Sequence, residues 1–245
     1  MPERSLHQFT LSPYSIKVRR ILDYKKLPYR TVEVNPFARG EIIRISGQRG
    51  VPVLVEEGLT AAESAGHSAA QAGAPIVVSD STRIASYLDA RYPAPPIFPA
   101  GAEARARVAL LEDWSDETFA GDLIPFKIFT AGNARRMVSQ SKVFYPPRWD
   151  YELLYPLGPF VLHRLAARRR RGRSLSDLQR DYERDLDLLE TTAAASPYLA
   201  GDRPTVFDFA VWGLLRTMEG LQGEELLARR NCLAAWYERM KDPRP

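Results

Sequence analysis

Leu6-His7-Gln8-Phe9-Thr10-Leu11-Ser12-Pro13-Tyr14-Ser15-Ile16-Lys17-Val18 is the stretch whose reading decides the fold. Leu6 to Thr10 reads as a short strand, and the chain runs from it straight into a helix. Pro13 suits an early helical position, where its missing N–H would have had no partner, and Ser12 before it is a natural N-cap. From Ile16 the apolar residues Val18, Ile21 and Leu22 recur at helical spacing, with Lys17, Arg19, Arg20, Lys25 and Lys26 expected to face away from them. Leu27-Pro28-Tyr29 ends the helix, Thr31-Val32-Glu33-Val34 alternates as a second strand, and Asn35-Pro36 marks a turn. A strand, a helix and a strand in this order predict a βαβ unit with parallel strands and a right-handed crossover.

Working outward, Ala38 to Ile45 reads as a short helix and Ser46-Gly47-Gln48-Arg49-Gly50 as a loop. Val51-Pro52-Val53-Leu54-Val55 is a third strand with proline near its start, where a strand tolerates one. Ile76-Val77-Val78 is a fourth strand, and Ser81 to Arg91 is a helix with Ile84, Tyr87 and Leu88 on one face. The order β-α-β-α-β-β-α predicts a thioredoxin-like α/β domain over residues 1–92. A surface insertion rich in Ala, Gly and Ser is expected at about residues 57–75, where a tight hairpin would have sufficed. A proline-rich linker, 93–100, follows, and strand signals then vanish. Ala102 to Phe119, Asp122 to Ser139, Tyr151 to Arg169, Leu175 to Ala195, Phe207 to Leu221 and Leu233 to Met240 read as helices. An all-α domain is therefore expected over 101–245.

The 245 residues are enough for two modest domains, and 45% apolar with 26% charged residues is ordinary for a globular protein. No window approaches the roughly 18–20 apolar residues that cross a bilayer, and Met1-Pro2-Glu3-Arg4-Ser5 leads into a strand without a secretory pattern, so a cytoplasmic protein with no membrane partner is expected. The single cysteine, Cys232, excludes an internal disulfide and reads as an idle thiol. His7, His67 and His163 lack metal-type spacing, so no metal site is expected. The run Arg168-Arg169-Arg170-Arg171-Gly172-Arg173 holds much of the excess charge of a chain whose net charge is +4. No aromatic residue is interleaved with it, so it reads as a solvated helix end rather than a nucleic-acid site.

Three short segments carry chemistry. Ser12 lies where free N–H groups and the helix dipole favour negative charge, and its hydroxyl could donate to a bound thiolate; it could equally be a structural cap. Gly50-Val51-Pro52, with a cis bond expected before Pro52, would offer the Val51 backbone to an extended peptide ligand. Ser81 and the N–H groups opening the third helix make a carboxylate site, and Asp80 can balance a ligand ammonium.

Taken together, these segments resemble the glutathione site of the glutathione transferases, and Tyr198-Leu199-Ala200-Gly201-Asp202-Arg203-Pro204-Thr205-Val206-Phe207-Asp208 is similar to that superfamily's capping segment in the helical half. Thr205 and Asp208 are folding residues in this reading. Leu27-Pro28-Tyr29, Val32 to Pro36, Val51 to Val55, Asp80-Ser81 and Ala210 to Leu221 further resemble the type-two prostaglandin E synthases and their bacterial relatives. That group carries Cys-Pro-Phe-Cys with a tyrosine three residues before it; Ser12-Pro13-Tyr14-Ser15 and Phe9 stand here instead, so thiol–disulfide chemistry cannot run at this junction. Serine-type glutathione transferases use a Ser-Pro-Phe-Ser pattern. The resemblance implies Ser12 as the thiolate-stabilising residue, Val51, Pro52, Asp80 and Ser81 as glutathione-binding residues, glutathione as co-substrate, a hydrophobic electrophile as second substrate, and a homodimer. Thr10, Tyr14 and Ser15 are lesser substitutes for Ser12, Arg49 is a lesser carboxylate partner, and Trp114, Phe119, Phe126 and Phe129 are candidates for the electrophile site or for core. The alternative is a protein of the same fold that binds or scaffolds without turnover.

Overall fold

The computed structural model describes residues 2–35, 39–58, 74–141 and 155–244, which fall into two compact units, Met1–Ile97 and Phe98–Pro245. The expected insertion lies almost wholly outside the described residues, as does the expected start of a helix at Tyr151.

In the first unit the elements are β1 (Glu3–Gln8), α1 (Pro13–Tyr24), β2 (Arg30–Glu33), α2 (Gly40–Ser46), β3 (Val53–Glu57), β4 (Ile76–Ser79) and α3 (Ser81–Arg91). The sheet order is β2-β1-β3-β4; β1 and β2 are parallel, while β3 runs antiparallel to both β1 and β4. This is the expected thioredoxin-like layout. Side chains alternate between sheet faces, so Leu6 and Leu54, opposite one another, share one face, and Val53 and Val55 share the other. On the second face Val53 and Val55 pack with Val34 and Ile42, joined by Phe9, Ile45 and Val51. A strand buried on both faces needs three consecutive apolar residues, and Val53-Leu54-Val55 supplies them. Each such side chain contributes roughly 1.5–3 kcal/mol by leaving water.

Glu56 shares the face of Leu54 and is fully buried. Burial of a carboxylate is tolerable only when it is paired. Here the Arg4 guanidinium lies 2.7 Å away and the hydroxyls of Tyr87 and Tyr92 both donate to it, tying β1, β3 and the end of α3 together.

The expectation that the basic side chains of α1 all face solvent fails at Lys17 and Lys25, which are buried. Lys25 Nζ donates to Asp89 Oδ1 at 3.0 Å and to the carbonyls of Tyr92 and Pro95 at 2.7 Å each, closing the turn after α3. Helical spacing puts Lys25 on the apolar face, seven residues after Val18; what the local pattern does not contain is the three fixed acceptors that make a buried ammonium stable there.

In the second unit α4 (Ala102–Trp114) passes through one π turn, Ser115–Phe119, into α5 (Ala120–Phe129); α6 (Asn133–Ser141), a 3-10 turn at Tyr155–Leu157, α7 (Gly158–Arg170), α8 (Leu175–Ala195), α9 (Val206–Arg216), α10 (Glu224–Ala228) and α11 (Asn231–Arg239) follow. The helix expected over 122–139 is two helices, because Thr130 turns extended (ψ 133°) and Gly132 takes a left-handed φ of +79°. The core is a stack of aromatics: Trp114 on Phe119 at 5.7 Å, Phe119 on Tyr182 at 6.0 Å and Phe126 on Tyr182 at 5.1 Å. Of the residues named as electrophile candidates, Phe119 and Phe126 are therefore core. Helix α9 is buried from Val206 to Leu215, and the fully buried Asp208 anchors its start, as the capping reading expected.

Candidate functional site

Strand register brings the three chemical segments to one end of the sheet. His7 lies opposite Val53, Val53 opposite Ser79, and Gln8 opposite Glu33. The chain leaving β1 toward Ser12, the chain entering β3 through Val51 and Pro52, and the chain leaving β4 through Asp80 and Ser81 therefore emerge at the same edge.

Ser12 is half-buried with extended backbone (φ −74°, ψ 126°) and caps α1, its Oγ accepting from the Ser15 N–H at 3.4 Å. Its own N–H donates to Phe9 O at 2.9 Å, which fixes the entry to the helix. A hydroxyl that accepts one bond still carries a proton to donate. Capping and thiolate binding are thus compatible at Ser12. Ser15 is fully buried, and its Oγ has no hydrogen-bond partner among the described residues.

Thr10 serves the scaffold instead. Its N–H and hydroxyl both donate to Glu33, at 2.6 and 2.9 Å, while Arg19 donates to Thr10 O at 2.8 Å and to Gln8 Oε1 at 2.6 Å. This network stiffens the β1–α1 passage that presents Ser12. With its proton committed to Glu33, the Thr10 hydroxyl has none to offer a thiolate.

The Val51–Pro52 peptide bond is cis. Pro52 is buried, Val51 is half-buried against the Val34–Ile42–Val53–Val55 cluster, and the β1–β3 pairing begins only at Val53. The Val51 backbone thus lies outside the sheet's ladder.

Asp80, an exposed non-glycine residue, takes a left-handed φ of +80° and caps α3, with Oδ1 accepting from Thr82 N and Arg83 N at 3.1 Å each. Both bonds use the same oxygen. Ser81 is buried at the first position of α3, where the helix itself supplies no acceptor for its N–H. Lys17, one turn into α1, is buried and its Nζ donates to Thr82 Oγ1 at 3.4 Å, joining the starts of α1 and α3. Arg19 and Arg20 on the same helix, also expected to face solvent, are half-buried, and Arg19 is tied to Gln8 and Thr10. Arg49 is exposed, and its carbonyl accepts from Arg39 at 3.0 Å.

Other candidates settle into structural roles. Burial and the Glu190 carboxylate push the Cys232 thiol up, away from reactivity. Burial pulls His7 down, and the ring of His163 lies on Phe129; His67 is outside the described residues. Among the described residues no group of three or more His, Cys, Asp or Glu could hold a metal, and no helix is long and apolar enough to cross a membrane. The arginine run is only partly the solvated helix end expected of it. Arg173 donates to Asp122, to Asp181 at 2.9 Å and to Gly121 O at 3.0 Å, clamping α5 to α8.

A family model described as the glutathione S-transferase N-terminal domain matches residues 6–96, and one described as the glutathione S-transferase C-terminal domain matches residues 161–239. Prostaglandin E synthase 2 of Mus musculus is 26% identical across 97% of this chain and 69% of its own length. Among solved structures, a glutathione S-transferase from Rhodospirillum rubrum is 22% identical with a TM-score of 0.65, covering 98% of this chain and 88% of its own. A glutathione transferase family member from Pseudomonas fluorescens, crystallised with two glutathione bound, is 15% identical with a TM-score of 0.64, covering 97% of this chain and 87% of its own.

Proposed function

Because the chain belongs to the glutathione S-transferase superfamily, we propose that it binds glutathione at the edge formed by Ser12, Val51, Pro52, Asp80 and Ser81 and transfers the glutathione sulfur to the carbon of a small apolar electrophile. The cysteinyl part of the tripeptide pairs with the Val51 backbone as an added strand would. Its γ-glutamyl carboxylate takes the Ser81 N–H and hydroxyl at the positive end of α3, and its ammonium faces Asp80 Oδ2.

The thiol then lies at the start of α1. Loss of its proton to solvent leaves a thiolate that accepts from the Ser12 hydroxyl and is favoured by the α1 dipole. A free thiol titrates near 8.5, and each unit of depression corresponds to about 1.4 kcal/mol in favour of the thiolate. One to two units suffice to ionise a large share of it at neutral pH. The thiolate attacks the electrophilic carbon, forming the carbon–sulfur bond while the displaced group leaves with the electron pair.

The observation that carries this reading is Ser12 Oγ as an N-cap that still has its proton to give, at the same sheet edge as Val51 and Ser81. A second reading, binding without turnover, is favoured by the cap bond itself, since a hydroxyl held at 3.4 Å from Ser15 N already has a structural task. Calorimetric titration with glutathione followed by a conjugation assay with a generic aryl halide distinguishes them. Turnover that falls in Ser12→Ala while binding persists supports conjugation; binding with no turnover in either protein supports the second reading. No binding removes the site. Chemistry of the kind named for the prostaglandin E synthase 2 relatives would have to proceed without a thiol of the protein's own at this junction. The homodimer remains part of the proposal and is tested by sedimentation.

A further inference from the structure

Lys17 stands on the apolar stripe of α1, four residues before Ile21, and is 1% exposed. Taking an ammonium out of water is costly, and a methionine of similar length would fill the same space without that cost, so packing alone does not account for a lysine here. Its place in the fold does. Helical side chains lean back toward the N-terminus of their own helix, and from Lys17, five residues after Ser12, the long stem runs toward the opening turns of α1 and α3. There its Nζ lies 3.4 Å from Thr82 Oγ1, the hydroxyl of the second residue of α3. The Thr82 hydroxyl, itself uncharged, fixes where the ammonium lies. Thr82 directly follows Ser81, and its N–H is one of the two donors to Asp80 Oδ1, at 3.1 Å. Two opposite charges therefore flank the start of α3, Lys17 buried behind it and Asp80 exposed in front of it.

From this placement we propose that Lys17 is a positioning residue for the γ-glutamyl carboxylate: a buried cation that strengthens the positive end of α3 and holds the carboxylate on Ser81 while Asp80 takes the ammonium. The proposal rests on the reading of this edge as a glutathione site. A helix start alone carries the equivalent of roughly half a positive charge. The Asp80 carboxylate that caps this one opposes an incoming anion. A whole positive charge behind Ser81 offsets Asp80, so one short segment can receive both members of a zwitterion, the anion toward the lysine and the cation toward the aspartate. Selectivity follows from that division. A tripeptide whose γ-glutamyl α-carboxylate is free should be preferred over the same tripeptide with that group amidated, and the preference should depend on Lys17. The contact does not involve the thiol, so it is separate from the part given to Ser12.

Calorimetric titration of the intact protein with glutathione and with glutathione amidated at the γ-glutamyl α-carboxylate tests the proposal. The parent should bind glutathione about tenfold or more tightly than the amide, the effect of one unit charge held a few ångströms from another at a partly solvated site. K17M, with its circular dichroism unchanged, should narrow that ratio to the roughly two- to fivefold that a helix start alone supplies. Where K17M does not fold, T82V decides in its place. That variant is at a half-exposed position, keeps the Thr82 N–H bond to Asp80 and removes the hydroxyl that fixes the ammonium, and it should lower the ratio in the same direction. A ratio unchanged in K17M, or in T82V standing in for it, overturns the proposal and leaves the glutathione site standing. Equal loss of affinity for both ligands in K17M also overturns it, because that is the mark of a structural role. A parent that binds both ligands equally removes the carboxylate contact alone, whereas a parent that binds neither removes the glutathione reading and this proposal with it.

Discussion

Asp208 is where a single atom change should cost the fold most clearly. It is fully buried, and its two oxygens accept four hydrogen bonds: Oδ1 from Leu199 N at 2.8 Å and Trp236 Nε1 at 2.9 Å, Oδ2 from Thr205 N and Thr205 Oγ1 at 2.9 Å each. These bonds join the Tyr198–Gly201 turn, the start of α9 and α11. Asp208→Ala leaves three buried N–H donors without acceptors, and each such orphan costs about 1–3 kcal/mol. Burial raises the Asp208 pKa, so removing a partly desolvated charge returns some of that loss. A net destabilisation of roughly 3 kcal/mol or more is expected, a large part of the usual 5–15 kcal/mol for a folded chain. Asp208→Asn keeps Oδ1 and turns Oδ2 into a donor; the Thr205 hydroxyl can rotate to accept, but Thr205 N is orphaned. It should cost about 1–3 kcal/mol. Thr205→Ala, which removes the buried hydroxyl and γ-methyl but leaves every N–H donor its acceptor, should cost about 1–2 kcal/mol. Urea unfolding followed by tryptophan fluorescence ranks the variants. An Asp208→Ala protein within about 1 kcal/mol of the parent, or an Asn variant as costly as the Ala variant, would refute the orphan-donor argument.

Lys127, fully desolvated with its Nζ on Thr217 Oγ1 at 2.8 Å, is pulled down to about 7. A depressed lysine favours its neutral form in the fold, so stability should rise with pH from about 7 toward the ordinary lysine value near 10.4 at up to about 1.4 kcal/mol per pH unit. Lys127→Met should be more stable than the parent at pH 7 and should lose that slope in pH-dependent melts. Asp185, buried beside Asp122 and Arg184, is pushed up to about 6 chiefly by burial. Its folded state holds a proton that the unfolded state releases, so stability should fall as pH rises from about 4 to 6, and Asp185→Asn should flatten that limb. At the site, Asp80→Ala should cost about 1 kcal/mol through loss of the α3 cap. Asp80→Asn keeps the cap and should weaken glutathione binding by calorimetry with little change in melting temperature; equal affinity in the Asn variant would contradict the ammonium contact.

The layout was legible because its signals are local. Pro13 after Ser12, the alternation in Thr31 to Val34 and the run Val53-Leu54-Val55 each answer to backbone geometry or to burial on one or two faces. The helix Ser81–Arg91 was readable to its ends, with Asp80 before it. What escaped the sequence depends on partners far along the chain. Lys17 and Lys25 stand four residues either side of Ile21, on the apolar stripe of the helix, where charge alone argues against burial; Thr82, Asp89 and the carbonyls of Tyr92 and Pro95, far along the chain, help make it tolerable. Arg173 reads as one more member of a basic run until Asp122, 51 residues away, is beside it. The π turn at Ser115–Phe119 has no sequence signal of its own, since Ser115 to Phe119 would also continue an α-helix. At the site, Ser12, Val51 and Ser81 could be named individually, while their common edge follows from the register of β1, β3 and β4, which single-strand patterns do not contain.

The central claim is that Ser12 stabilises the thiolate of bound glutathione. Ultraviolet difference titration of the thiolate, with glutathione saturating the parent protein and Ser12→Ala, tests it directly. The account predicts a bound thiol titrating at least about one unit below its free value near 8.5 in the parent, moving back toward that value in Ser12→Ala. A bound thiol with the same pKa in both proteins, or no saturable glutathione binding at all, would contradict it.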